Sequence, residues 1–173
     1  MERRTIHERA SFLRDFVFAA DDGIITTFAV VAGSFGAGLA PSIILTLGFA
    51  NLLADGFSMA TGIYLGAKSE VEYEKSKNDP HWQSDSPVKQ GLITFVSFDI
   101  AGVLPLLPFL FGIRAGFAAS AALVGIFLFG LGVVKGFYTQ KSPLKSGLET
   151  FLIGGIAAVL AYSVGYLIDN FVL

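Results

Sequence analysis

Four aspartates of this 173-residue chain stand inside long apolar stretches, where an ionised side chain is costly. They are Asp21, Asp22, Asp55 and Asp99, and the apolar stretches around them contain no lysine or arginine that could pair with them. An unpaired carboxylate in such surroundings must be protonated, hydrated or bound to a cation. The sequence therefore indicates a site or a path for a metal cation or a proton.

The second apolar stretch holds the best arrangement of possible metal ligands. Asn51, Asp55 and Met59 recur at intervals of four residues and therefore share one face of a helix. The same face is predicted to carry Ser58, Gly62 and Gly66. A carboxylate beside a thioether favours a borderline transition metal such as Fe²⁺ over Mg²⁺ or Ca²⁺, which prefer oxygen ligands. The alternative is a polar seam between helices that pack through their glycines.

Asp22 is the corresponding candidate in the first stretch, where it shares a helix face with Thr26 and Gly33. A carboxylate embedded in a membrane usually has a function. The alternative is a charge or a cap at a helix N-terminus beside Gly23. We expect the neighbouring Asp21 to lie at the membrane interface.

Asp99 precedes two prolines of the third stretch, Pro105 and Pro108, and each proline frees a backbone carbonyl one turn earlier. Those carbonyls could line a hydrated path. The prolines could instead form a kink that packs against a neighbouring helix, and the sequence alone slightly favours this second interpretation.

The polar segment 68–90 offers a separate group of acidic ligands. Glu70 and Glu74 share a helix face and could collect divalent cations at the membrane surface. Other possible ligands follow in the same segment: Asp79, His81 and Asp85. The alternative is a solvated acidic face that is paired with Lys75 and Lys77.

The composition is typical of an all-α membrane protein. Hydrophobic residues make up 53% of the chain and charged residues only 15%, whereas a soluble domain carries about 25% charged residues. A bilayer core requires about 20 apolar residues as a helix, and five stretches approach or reach that length. We predict one transmembrane domain, residues 1–173, with a cytoplasmic polar loop at 68–90 and spans at about 16–39, 43–67, 91–112, 115–135 and 148–170.

The distribution of lysine and arginine predicts the orientation of the five spans. With the N-terminus in the cytoplasm, all of the 12 basic residues except Arg114 lie on the cytoplasmic side. Five spans then leave the C-terminus outside. No cleavable signal is evident, because the first apolar stretch is long enough to span the membrane.

The sequence also argues against several classes of protein. The net charge of −2 argues against nucleic-acid binding, and the absence of cysteine excludes thiolate metal sites and disulfides. No nucleophile motif, phosphate-binding loop or paired catalytic set is present. We therefore expect neither an enzyme nor a tightly bound cofactor.

Runs of residues in the first two helices are specific enough to indicate a family: Arg14-Asp15, Asp22-Gly23-Ile24, 27–33, 48–60 and 68–70. Further runs follow at 105–110 and, rich in glycine, at 153–165. In this order they resemble the vacuolar iron transporter family over nearly the whole chain.

The resemblance implies a five-helix homodimer in the lipid bilayer that moves Fe²⁺, and often Mn²⁺, out of the cytosol in exchange for protons. The family's path runs between the two protomers. Its membrane-embedded aspartate matches Asp22, its path methionine matches Met59, and a polar position that is often acidic in relatives matches Asn51. We therefore expect Asp22 and Met59 to bind the ion and Asp55 and Asn51 to line or support the path. Asp22 or Asp55 could also exchange a proton for the metal.

The chain departs from the family at two places. Members with a cytosolic metal-binding domain insert a long Glu- and Met-rich helical segment between the second and third helices, where this chain has only 68–90, without methionine. In this chain Ile63 precedes Tyr64 of the second helix, whereas many members of the family have glutamate at the position of Ile63. These features indicate a short member of the family, and we expect it in a prokaryotic plasma membrane. The alternative is a non-transporting scaffold or regulatory subunit whose buried carboxylates are structural.

Overall fold

Six α-helices and one 3₁₀ turn form the chain in the computed structural model, which describes residues 2–78 and 86–172, with side chains from residue 10 onward. The helices are α1 (Glu2–Gly36), α2 (Pro41–Ser76), α3 (Pro87–Gly102), α4 (Leu107–Leu110), α5 (Gly116–Tyr138) and α6 (Pro143–Phe171), and the 3₁₀ turn is Leu104–Leu106. These ranges contain no strand. Five segments are long and apolar enough to cross a membrane, the third being Pro87–Leu110, which joins α3, the turn and α4. The prediction of an all-α protein with five apolar spans is confirmed.

Prolines and glycines determine where the helices begin and where the chain reverses. Pro41, Pro87 and Pro143 start α2, α3 and α6, where proline loses no helical hydrogen bond and already has a helical φ. Gly38 and Gly112 adopt a φ of +65° in the connections after α1 and α4, a conformation that glycine adopts without steric cost. Short connections therefore place consecutive spans beside each other in opposite directions.

The prolines of the third span form a packed kink. Pro105 and Pro108 are buried at the 3₁₀ turn. The Ser120 hydroxyl of α5 donates a hydrogen bond of 2.7 Å to the carbonyl of Pro105. Pro108 has no N–H to donate to the carbonyl of Leu104, four residues earlier. The N–H of Leu107 donates to this carbonyl instead. These contacts favour the packed kink over a hydrated path at this position.

α1 packs closely against both α3 and α6. A Cβ on Gly23 would overlap the backbone of Phe98 in α3, and a Cβ on Gly165 in α6 would overlap the backbone of Gly33. Large apolar side chains fill the space between the helices, and none of them is more than 6% exposed: Ile24, Phe28, Val31, Ile44, Leu106, Val124 and Leu128. Small residues thus bring the helix backbones together around a compact apolar core.

The two ends of the bundle differ in charge. Because consecutive spans run in opposite directions, the α2–α3 and α5–α6 connections lie at the same end of the bundle as the start of α1. The segments at this end contain all of the 12 lysines and arginines except Arg114. We call it the basic end, and its location in the cytoplasm remains a prediction.

Candidate metal site

Three helices meet at one level of the bundle, and each of them carries an aspartate there. Gly23 of α1 lies against the backbone of Phe98 in α3. A Cβ on Gly56 of α2 would lie 2.7 Å from Oδ2 of Asp99 in α3. Because Asp22 precedes Gly23 and Asp55 precedes Gly56, the side chains of Asp22, Asp55 and Asp99 belong to the same layer.

Asp22 of α1 and Asp55 of α2 form an acidic pair in this layer. Both residues are half-buried, and their carboxylates are near enough to interact electrostatically. Neither side chain has a hydrogen bond or an ion pair within the described ranges, although the Thr26 hydroxyl donates to the backbone carbonyl of Asp22 at 2.8 Å. Asp22 lies in the interior of the continuous helix α1. The alternative interpretation of Asp22 as a helix cap is therefore wrong.

Met59 lies one turn from Asp55 on α2. It is half-buried and packs against the buried cluster formed by Ala19, Leu52 and Phe98. Ala19 precedes Asp22 by three residues, which is less than one turn of α1. Met59 therefore lies within about one helical turn of the layer of the carboxylates.

The predicted polar face of α2 is divided between two environments. Asn51, Asp55 and Met59 are half-buried at the edge that meets the bundle. The smaller members of the predicted face point away from the chain and are exposed: Ser58, Gly62 and Gly66. A Cβ on either glycine would meet no atom within 4 Å. The seam of glycines considered from the sequence therefore does not form within this chain.

Sequence reasoning missed the environments of two further aspartates. Both carboxyl oxygens of Asp99 are buried without a hydrogen-bond partner beside Gly56. The Asp15 side chain is 1% exposed and accepts a hydrogen bond of 2.9 Å from Nε of Arg14. The spacing of seven residues between Asp15 and Asp22 already places both on one helix face, and this signal was available in the sequence.

The expectation that Asp21 lies at the membrane interface stays a prediction. Asp21 is half-buried, its Oδ1 is buried without a hydrogen-bond partner in the described ranges, and Lys135 of α5 is near enough to interact with it electrostatically. The side chains of Asp21 and Asp22 therefore have different neighbours, because successive residues of a helix point about 100° apart.

The acidic residues at the end of α2 remain separate from this layer. Glu70 is exposed and Glu74 is half-buried, while Lys68 approaches Glu72 at 3.9 Å. The possible partners Asp79, His81 and Asp85 lie outside the described residues. Across the ranges that the structure describes, no three His, Asp or Glu side chains converge closely enough to hold a metal ion. A complete ligand set therefore requires Met59, water or a second copy of the chain.

The fold and the site together define a multi-pass membrane protein with carboxylates enclosed between its spans. The sequence model of the VIT family matches residues 13–81 and 76–166 of the chain. The chain therefore belongs to the VIT family, as the resemblance predicted.

Curated relatives agree with this assignment. The vacuolar iron transporter of Toxoplasma gondii is 28% identical to this chain, over 92% of this chain and 75% of its own length. The vacuolar iron transporter 1 of Arabidopsis thaliana is 28% identical over 91% of this chain and 86% of its own length. The vacuolar iron transporter homolog 4 of the same plant is 29% identical over 88% of this chain and 81% of its own length.

The alignments also locate a difference in length. The two matched pieces of the family model meet at residues 76–81, between α2 and α3. The alignment with the Toxoplasma protein extends over 227 positions, although this chain has only 173 residues, so that relative contains residues that this chain lacks. The alignment with homolog 4 needs only 164 positions. This chain and homolog 4 therefore align without the long insertion that the Toxoplasma protein requires.

These relatives come from eukaryotes and are named as vacuolar proteins. They do not support the predicted prokaryotic plasma membrane. The five apolar spans do support a multi-pass membrane protein.

Proposed function

We propose that this protein transports divalent transition metals, Fe²⁺ and Mn²⁺, and exports them from the cytosol in exchange for protons. The observation that carries the proposal is the pair of Asp22 and Asp55, two carboxylates that belong to one layer of the bundle, are near enough to interact electrostatically and have no cationic partner in the described ranges. Two like charges at one place repel each other, and a divalent cation between them removes that repulsion. The matched relatives are named as iron transporters.

The same pair can couple the metal to protons. When the metal ion leaves, protonation neutralises carboxylates that remain half-buried in an apolar bundle. Proton and metal then occupy the same oxygen atoms in turn, which is the requirement for exchange. Asn51, one turn from Asp55, supplies an amide in place of a further charge.

Met59 gives the site its preference among cations. Its polarisable sulfur suits Fe²⁺ and other borderline transition metals, whereas Mg²⁺ and Ca²⁺ prefer oxygen ligands. Glu70 and Glu74 at the end of α2 increase the local concentration of divalent cations at the entrance. We assign no further ligands to the short α2–α3 connection.

A homodimer completes the site. One face of α2 is lined by small exposed residues at intervals of four: Ala50, Ala54, Ser58, Gly62 and Gly66. Such a face allows close approach of a second helix in a membrane. A twofold axis beside this face would bring a second Met59 and a second pair of carboxylates to the first, which a metal ion needs for a full ligand set.

Transport into proteoliposomes tests the proposal. Vesicles that contain a metal-sensitive dye receive Fe²⁺ or Mn²⁺ outside and a pH gradient across the membrane. We expect Asp22→Asn to reduce the initial metal flux at least tenfold, because it removes one charge from the pair. Met59→Leu keeps the side-chain volume, and we expect it to reduce the preference for Fe²⁺ over Mg²⁺ while the thermal stability stays within about 1.5 kcal/mol.

Asp169→Asn is the matched control, because it makes the same change on an exposed residue near the end of α6. It should transport as the unmodified protein does. If the unmodified protein gives the flux of empty vesicles and Met59→Leu has no effect on metal binding, the chain is a scaffold with structural carboxylates and the proposal is wrong.

A further inference from the structure

A long groove runs between α1, α3 and α5, away from the candidate metal site. Its wide part, at the basic end, has a volume of about 1240 Å³, and a narrower part of about 620 Å³ continues toward the middle of the membrane. Both parts are lined by Phe16 and Val134, so they form one continuous groove. None of its lining residues belongs to the predicted metal ligands.

The mouth of the groove is lined by three basic side chains from three different helices. Arg14 belongs to α1, Lys89 to α3 and Lys135 to α5. The exposed phenol of Tyr138 lines the same mouth. An anion that enters here would therefore meet positive charge from each wall of the groove.

Acidic neighbours reduce this positive charge without neutralising all of it. Arg14 donates to the buried Asp15 through Nε, so its terminal amino groups remain for a ligand, and its side chain is 63% exposed. Lys89 is exposed and has no ion-pair partner in the described ranges. Lys135 forms an ion pair of 4.0 Å with Glu149 and also interacts electrostatically with Asp21.

The narrow part of the groove is almost entirely apolar, with Ser97 as its one hydroxyl-bearing lining residue. Its walls include Ile24 of α1, Ile100 of α3 and Phe127 of α5. Gly130 of α5 opens the groove further, because a Cβ there would meet no atom within 4 Å. From Val134 to the most distant lining residue of α5 the groove extends for about 12 Å along the helix.

We propose that this groove binds an anionic phospholipid, with the phosphate at the basic mouth and an acyl chain in the apolar part. Basic pockets between membrane helices are suited to anionic headgroups, and each lysine or arginine near the membrane surface adds to the attraction. A bound lipid would bridge three helices, two of which, α1 and α3, carry aspartates of the candidate metal site. It would therefore stabilise the layer of carboxylates from outside.

Charge argues against a second copy of the chain in this groove. A twofold dimer places the same surface of each copy against itself, so that the two sets of three basic side chains would face each other. The small-residue face of α2 offers a second copy a surface without this repulsion. A phospholipid satisfies both the charge of the mouth and the apolar character of the groove.

The test is native mass spectrometry of the full chain released from detergent micelles that contain equal amounts of phosphatidylglycerol and phosphatidylcholine. We expect phosphatidylglycerol to be retained preferentially. Lys89→Gln should weaken its retention about fivefold, since it removes one surface cation. Lys145→Gln makes the same change at the same end but outside the groove, and should leave retention unchanged.

A second variant tests the apolar part without changing any charge. Gly130→Phe fills the groove and should prevent retention of the lipid, while Gly155→Phe places the same side chain at an open position of α6 and should not. Equal retention of the two lipids, equal losses from Lys89→Gln and Lys145→Gln, or full retention by Gly130→Phe would each overturn the proposal. Thermal stabilisation by inorganic phosphate equal to that by phosphatidylglycerol would also overturn it, because a bare anion site would then suffice.

Discussion

At the scale of single residues, the aspartates of the spans differ in what surrounds their oxygen atoms. Asp22 and Asp55 interact electrostatically and are not among the side chains with fully buried, unpartnered oxygens, whereas both oxygens of Asp99 are. A buried polar group without a partner costs about 1–3 kcal/mol. We therefore expect Asp99 to lower the stability of the isolated chain, while Asp22 and Asp55 can still reach a cation.

This difference predicts an unusual effect of substituting Asp99. We expect Asp99→Ala to increase the free energy of unfolding by about 1 kcal/mol, because it removes the unpartnered carboxyl group and leaves only a small space beside Gly56. Thermal unfolding of the purified protein in detergent measures this effect. The exposed Asp169→Ala should change stability by less than about 0.5 kcal/mol. A clear loss of stability in Asp99→Ala would show that the carboxyl group has a partner in the working protein.

At the scale of helices, packing depends on glycines that bring two backbones together. Gly165 of α6 lies against the backbone of Gly33 in α1, so that no side chain fits between the two helices. Gly155 belongs to the same helix α6, but a Cβ there would meet no atom within 4 Å. The same residue type therefore has a structural role at one position of α6 and none at the other.

The two glycines predict opposite results for the same substitution. Gly165→Ala should lower the free energy of unfolding by about 1–3 kcal/mol, because its methyl group forces α6 away from α1. Gly155→Ala should be neutral or stabilise the protein by up to about 1 kcal/mol, since alanine favours the helix. Thermal unfolding of both variants in one detergent makes the comparison. Equal effects would contradict the close contact between α1 and α6.

At the scale of the whole molecule, we propose different roles for two exposed surfaces of the bundle. The small-residue face of α2 would contact a second copy of the chain, and the groove between α1, α3 and α5 would bind a lipid. The basic end contains all but one of the 12 lysines and arginines, which is typical of the cytoplasmic side. Assembly and orientation can therefore be tested separately.

The proposed dimer predicts that a large side chain on the small-residue face of α2 separates the two copies. Gly62→Phe should weaken dimerisation at least tenfold, although the substitution meets no atom of its own chain. Light scattering during size-exclusion chromatography in detergent measures the mass of the complex. Gly155→Phe serves as the control on α6. A dimer that persists in Gly62→Phe would exclude this face as the interface.

Orientation can be measured with single cysteines, because the chain contains none. An impermeant maleimide applied to intact cells should label Ala40→Cys, in the α1–α2 connection, and should label Ser142→Cys, just before α6, only after the cells are opened. The charge distribution is the physical reason, since basic segments are retained in the cytoplasm. The reverse labelling pattern would contradict the predicted orientation.

The sequence by itself determined the class of the protein, its five apolar spans and its family. Apolar stretches of about 20 residues without basic side chains have few alternatives to membrane helices. The spacing of Asn51, Asp55 and Met59 also predicted correctly that they lie along one edge of α2. These properties depend on composition and on the period of about 3.6 residues in a helix, and both are visible in the sequence without any knowledge of tertiary contacts.

Only the tertiary structure decided which aspartates meet. It brought Asp22 within electrostatic range of Asp55, enclosed the carboxyl oxygens of Asp99 beside Gly56, and turned Ser58 and Gly62 outward. The physical reason is that helix periodicity specifies a face of each helix but not the neighbour that the face meets. That neighbour depends on where glycines allow two backbones to approach, and these contacts join residues far apart in the chain.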